Sequence, residues 1–174
     1  QYVLRYHATI PVNDNYTYKA INKVKAEFDG KDSSTSKEVK NTEPRLTKSG
    51  NYDANSRIIT WTVKINNPYG EDLRGKTFKD FLPAELEVVD VVKIQRGYYS
   101  EDIKPVSAAD FKKDKYAYTF PTDLPHGPET ATFYTIEIQT KVPDGTAVGT
   151  TYKNEATFDG NSASGDVTVT DRDS

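Results

Sequence analysis

Apolar and polar side chains alternate strictly from Ile59 to Ile65, with Ile59, Trp61, Val63 and Ile65 on one phase and Thr60, Thr62 and Lys64 on the other. A period of two in β-branched and aromatic residues predicts a strand with one buried face. Asn66-Asn67-Pro68-Tyr69-Gly70 ends it with turn chemistry. The pattern recurs at short spacing and predicts strands over 57–66, 75–80, 86–96, 116–120, 132–142, 150–158 and 165–170. Upstream, Tyr2–Ile10 reads as a strand stopped by Pro11 and Asn13-Asp14-Asn15, and Tyr16–Phe28 as one or two more, ending at Asp29-Gly30. Lys31–Thr42 is polar and carries Ser33-Ser34-Thr35-Ser36, which predicts a loop or an edge strand. Only Ser107–Lys115 has helical character, with Ser107 as its N-cap. About seven strands with Gly, Pro and Asn turns over roughly 130 residues predict an all-β, immunoglobulin-like β-sandwich.

An internal echo bears on the domain count. Tyr2…Ile10-Pro11 is matched by Tyr134…Val142-Pro143, and Asn22 falls opposite Asn154 at the same offset. Tyr18-Lys19…Phe28-Asp29-Gly30 is matched by Tyr152-Lys153…Phe158-Asp159-Gly160 once a small gap is allowed. A repeat one domain long marks a tandem array. Residues 1–40 are therefore expected to be the last strands and linker of a preceding, truncated copy, and 41–174 a complete one. The alternative is that 1–40 simply extends one sandwich.

Composition narrows the function. The 174 residues carry a net charge of −3, and no basic cluster interleaved with aromatics occurs, which argues against nucleic acid. No apolar run reaches membrane-spanning length, so no membrane insertion is expected of this segment. Methionine is absent, so the chain is expected to be a processed or excised piece. Cysteine is absent too, which excludes disulfides, thiolate metal ligands and thiol catalysis. A secreted β domain without disulfides needs another source of stability.

Leu46-Thr47-Lys48-Ser49-Gly50, the Trp61 strand, Thr77-Phe78-Lys79-Asp80 and Asn154-Glu155-Ala156 together resemble the collagen-adhesin (CnaA-like) domains of Gram-positive surface adhesins and pilins, over most of 41–174. The resemblance implies an isopeptide bond between a lysine on the first strand and an asparagine on the last, assisted by an acid on an intermediate strand. Carried over residue by residue, Lys48 is the amine, Asn154 the acceptor and Asp80 the assisting acid. Asn22 would be the acceptor of the preceding copy and would stay unreacted within this chain.

Those residue types suit that chemistry. Burial lowers the pKa of an ammonium and supplies the free amine; the same burial raises a carboxyl, so that it is a neutral acid at neutral pH. Such an acid can polarise the amide carbonyl and pass a proton to the leaving ammonia. Folding brings the partners together, so the reaction is one turnover of maturation and not enzymology. The bond would close a loop of about a hundred residues, worth about 4–5 kcal/mol if it acts on chain entropy as a disulfide does. It would carry tensile load and resist reduction.

Each residue also has an ordinary reading. Lys37, Lys40, Lys64, Lys76 and Lys79 lie nearby as solvated charges, Asp80 before Phe81-Leu82-Pro83 suits a turn, and Asn154 suits a strand cap. Asp90, in Val88-Val89-Asp90-Val91-Val92, is the rival acid because its flanks are apolar, with Glu155 weaker. His7 and His126 belong to no ligand-spacing motif, and Asp29, Asp159 and Asp166 read as turn residues before calcium ligands, so neither metal nor cofactor is expected. No nucleophile-elbow, phosphate-loop or dinucleotide motif occurs. The tyrosines at 98, 99, 116 and 118 suit either sheet packing or a recognition face.

The expectation is thus a non-enzymatic, extracellular, cell-wall-anchored adhesin or stalk module. Its implied partners are neighbouring repeats of the same protein and an extracellular-matrix protein such as collagen. The alternative is a carbohydrate-binding β-sandwich of a secreted protein.

Overall fold

The computed structural model describes residues 18–41, 44–67, 71–98, 103–124 and 132–172. The chain divides into two compact units, Gln1–Pro44 and Arg45–Ser174. In the first, β1 (Tyr18–Phe28) and β2 (Lys31–Asn41) form an antiparallel hairpin with an unbroken ladder from Tyr18↔Asn41 to Phe28↔Lys31. Asp29 (φ 52°) and Gly30 (φ 70°) make the two-residue turn that joins them. Two successive left-handed residues match the natural twist of a hairpin. This explains why the serine-rich 31–41 stretch is a full strand and not a loop. The predicted strand Tyr2–Ile10 lies outside the described residues.

The second unit is an immunoglobulin-like sandwich of two antiparallel sheets. Its strands are β3 (Leu46–Asp53), β4 (Ile58–Asn67), β5 (Thr77–Phe81), β6 (Glu87–Arg96), β7 (Val106–Ser107), β8 (Ala117–Thr119), β9 (Thr132–Lys141), β10 (Thr151–Phe158) and β11 (Asn161–Thr168). One sheet has the order β3-β4-β9-β6-β7 and the other β11-β10-β5-β8. The alternation of β4 is read out as expected: Ile59, Trp61, Val63 and Ile65 are fully buried. Beside them in the same sheet stand their β9 partners Tyr134, Ile136 and Ile138, and Phe78 and Phe158 join the core from the other sheet. Phe120 stands at the centre of the aromatic part, edge-on to Tyr134 at 5.3 Å and to Phe158 at 5.8 Å. Edge-to-face pairs of this kind add about 0.5–1.5 kcal/mol beyond the area they bury.

The single helix among the described residues, α1 (Ala108–Lys113), starts at Ser107, whose Oγ accepts from Asp110 N–H at 3.1 Å. Phe111 anchors it in the core. After it, Lys115 and Tyr116 both adopt positive φ (55° and 60°), an unusual conformation for side chains of that size. The turn delivers the Tyr116 carbonyl to the Asp80 N–H at 2.9 Å, which fixes the end of β5.

Candidate functional site

Lys48 lies on β3 with its side chain turned inward, between Leu46 and Gly50 on the same phase. Asp80 occupies the inward phase of β5, and Asn154 that of β10. The ladder β10–β5 pairs Ala156 with Asp80, so Asn154 is the next inward residue along from Asp80's partner. Three strands from two sheets thus turn an amine, a carboxyl and an amide into one interior. In the sequence, Asp80 could equally have opened a turn; in the structure it is a strand residue, so its side chain has only the core to enter.

The electrostatics follow from enclosure. The side chains of Lys48 and Asp80 are both 0% exposed, and Lys48 Nζ donates to Asp80 Oδ2 in a buried ion pair. Burial drives the Lys48 pKa below its ordinary 10.5, with the Asp80 charge opposing. Burial likewise raises the Asp80 carboxyl above 3.8, opposed by the Lys48 charge and hydrogen bond and, more weakly, by Asn154. Each group is pushed towards its neutral form by loss of water and held towards its charged form by the other. The indole of Trp61 walls the amine, its ring centre 5.6 Å from Nζ, and is itself fixed by donating Nε1–H to Thr140 Oγ1 at 3.0 Å.

Asn154 is fully buried, yet neither its Nδ2 nor its Oδ1 completes a hydrogen bond of ordinary geometry within the protein; nor does Asp80 Oδ1. An unsatisfied buried polar atom costs roughly 1–3 kcal/mol. Three such atoms meet at one spot, beside the buried ion pair.

The rival acids do not reach this interior. Asp90 is exposed at a bulge in the β6–β9 ladder between Val89 and Lys93, with φ 63°, and Glu155 sits on the outer phase of β10. Among the other lysines, Lys64 lies over Phe133, Lys79 over Phe81, and Lys76 pairs with Glu71 and Asp159. His7 and His126 lie outside the described residues, as does Tyr99. Asp29 and Asp159 make hairpin turns, and among the described residues no group of three or more His, Asp or Glu gathers as metal ligands would. Tyr118 packs edge-on to Phe120 at 5.2 Å and Tyr116 to Phe111 at 5.6 Å, so both are packing residues; Tyr98 is 81% exposed.

Arg45 carried no signal in the sequence. It is the first residue of the second unit and is buried, donating Nη1–H to the Asn66 carbonyl at 2.8 Å. Its Nη2 is 2.7 Å from Glu71, and its guanidinium lies 5.5 Å from the centre of the Phe158 ring. Glu71 and Asp159 also hold Lys76, so four charges tie the entry of β3 to the β4–β5 connection and to the β10–β11 turn.

Comparison with known proteins follows the same lines. A family model for a collagen binding domain matches residues 43–168. Among solved structures, a chain of Enterococcus faecalis ACE, described as binding its ligands by a collagen hug, matches with 12% identity and a TM-score of 0.47, covering 87% of this chain and 60% of that one. The collagen-binding domain of a Staphylococcus aureus adhesin matches at 16% identity and a TM-score of 0.46, covering 75% and 99%. That of Erysipelothrix rhusiopathiae surface protein RspB matches at 19% and 0.42, covering 91% and 54%. The chain thus spans less than two thirds of the Enterococcus and Erysipelothrix chains. No match is found among curated proteins.

Proposed function

The chain belongs to the collagen-binding domain family, and from that premise we propose that it is a surface adhesin module that holds collagen or a related matrix protein and locks its own fold with a covalent bond between Lys48 and Asn154. Family membership favours a matrix protein over a glycan as the partner. The observation that supports the bond is the sealed trio itself, an amine and a carboxyl both closed off from solvent, beside a buried amide that completes no hydrogen bond of ordinary geometry.

The reaction follows from that environment. The ammonium proton moves to Asp80, leaving a free amine and a neutral acid, a transfer that burial favours on both sides. The Nζ lone pair attacks Asn154 Cγ while the Asp80 proton polarises Oδ1. When the tetrahedral centre collapses, the new Nζ–Cγ bond stays and Cγ–Nδ2 breaks. The proton given up by Nζ, relayed through Asp80, leaves with Nδ2 as ammonia. Neither oxidant nor cofactor takes part, and the domain reacts once. Residues 1–40 fit the same scheme as the last strands of a preceding copy in a tandem stalk.

Two experiments test the two parts. Proteolysis followed by tandem mass spectrometry is expected to yield one branched peptide joining the segments around Lys48 and Asn154; two linear peptides, both unmodified, would contradict the bond. Binding to immobilised collagen, in a protein that includes the neighbouring domains, is expected to saturate and to be competed by soluble collagen. Equal retention on collagen and on an unrelated matrix protein would contradict the ligand.

A further inference from the structure

Among the described residues of the second unit, glycines serve two different purposes. Gly75, Gly145, Gly149 and Gly160 have positive φ and open space where a Cβ would go, so they are there for backbone conformation. Gly50 and Gly165 have no positive φ; Gly50 has no room for a Cβ and Gly165 very little. A Cβ on Gly50 would lie 2.3 Å from Val167 Cγ2 and 2.7 Å from Cε3 and Cζ3 of Trp61. A Cβ on Gly165 would lie 3.2 Å from the Cα and carbonyl carbon of Ser49 and 3.4 Å from the Gly50 nitrogen.

These glycines sit beside the reacting residues. Gly50 is the inward residue after Lys48 on β3, and Gly165 is the direct register partner of Asn154 on β11. Face-to-face sheets ordinarily stand ~10 Å apart because side chains fill the gap. Here the β11 backbone at Gly165 rests on the β3 backbone at Ser49–Gly50, and Val167 and the Trp61 ring are the nearest groups over Gly50.

We propose that Gly50 and Gly165 are positioning residues for the cross-link: they pinch the two sheets together at one point, so that the Lys48 amine, carried by one sheet, reaches the Asn154 amide, carried by the other. This rests on the proposed Lys48–Asn154 bond and adds what sets its reach. A methyl group on Gly165 pushes against backbone, which yields only by moving β11, and its partner β10 with it, away from β3. Attack across such a gap is steep in distance, with ~1 Å of misplacement lowering the rate about a hundredfold. A shift of half that size is therefore expected to slow the bond about tenfold.

The test follows ammonia loss by intact mass after dilution from denaturant, in the full chain. Gly165→Ala is expected to regain the near-ultraviolet circular dichroism of a packed Trp61 while forming the bond about tenfold more slowly than wild type. Gly145→Ala, in the β9–β10 connection with open space at its Cβ position, is expected to form it at the wild-type rate. Gly50→Ala is expected to be slow as well, and Gly50→Ala/Val167→Ala, which removes the nearest crowding atom, to recover part of the rate. A folded Gly165→Ala that links as fast as wild type overturns the inference while leaving the bond intact. Should Gly165→Ala not fold, a wild-type rate in Gly50→Ala and no gain in the double variant overturn it equally. A wild-type protein that keeps its full mass overturns both this inference and the bond.

Discussion

Lys48 and Asp80 are the kind of pair that is expensive to bury and ruinous to break: removing one partner of a fully buried ion pair typically destabilises by 3–5 kcal/mol. The pH response follows from the two shifts, and Asn154→Ala isolates it by keeping the pair unlinked. Asp80 holds its proton more tightly when folded, so stability falls as pH rises from 3.8 through the raised value. Lys48 holds its proton less tightly when folded, so stability rises again as pH climbs from the lowered value towards 10.5. Urea denaturation of Asn154→Ala across pH is therefore expected to show a minimum between those windows, and a monotonic curve would contradict the shifts. Asp80→Ala is expected to slow the bond by a factor of about 10²–10⁴, the usual worth of a positioned proton donor; linkage at the wild-type rate would remove Asp80 from the chemistry. At this scale the sequence named three residues that the fold brings into one interior, because Lys, Asp and Asn stood in family order. It carried no choice between Asp80 and Asp90: apolar flanks look like burial, but the β6 bulge turns Asp90 to solvent. Nor did it carry the role of Gly50 and Gly165, since a glycine chosen for space and one chosen for conformation look alike as letters.

Elements were legible where alternation was strong and turns were marked. β4 and β10 could be read from phase alone, and the α1 start from one serine. The serine-rich β2 was ambiguous because its polar alternation lacks an apolar face; its partner and the Asp29-Gly30 turn decide it. Arg45 was illegible for a different reason: its four-charge network joins residues far apart in sequence, and only the fold gathers them. Arg45→Ala removes the hydrogen bond to Asn66 and the pairing with Glu71 at the root of β3. With Glu71 still partly in contact with water, a loss of about 1.5–3 kcal/mol in chemical denaturation is expected. An unchanged midpoint would mean that β3 is held by its ladder alone.

For the molecule as a whole, the two hairpins share one turn geometry: Asp29 and Gly30 at 52° and 70°, Asp159 and Gly160 at 50° and 77°. On the proposed tandem reading, the two are the same closing hairpin in successive copies. Counted from the shared Phe-Asp-Gly, however, the position of Asn154 falls on Val24 and not on Asn22, and the unbroken β1–β2 ladder has no bulge to absorb the difference. A preceding copy aligned in this way would have no amide acceptor there. This unit has a buried apolar core and no disulfides, so the proposed tie between β3 and β10 would be its one covalent link between strands distant in sequence. The intact mass of the denatured protein tests it most directly. A mass one ammonia below that of the sequence is expected, with Lys48→Ala and Asn154→Ala each at the full mass expected for its own sequence. A wild-type mass equal to the sequence value would contradict it.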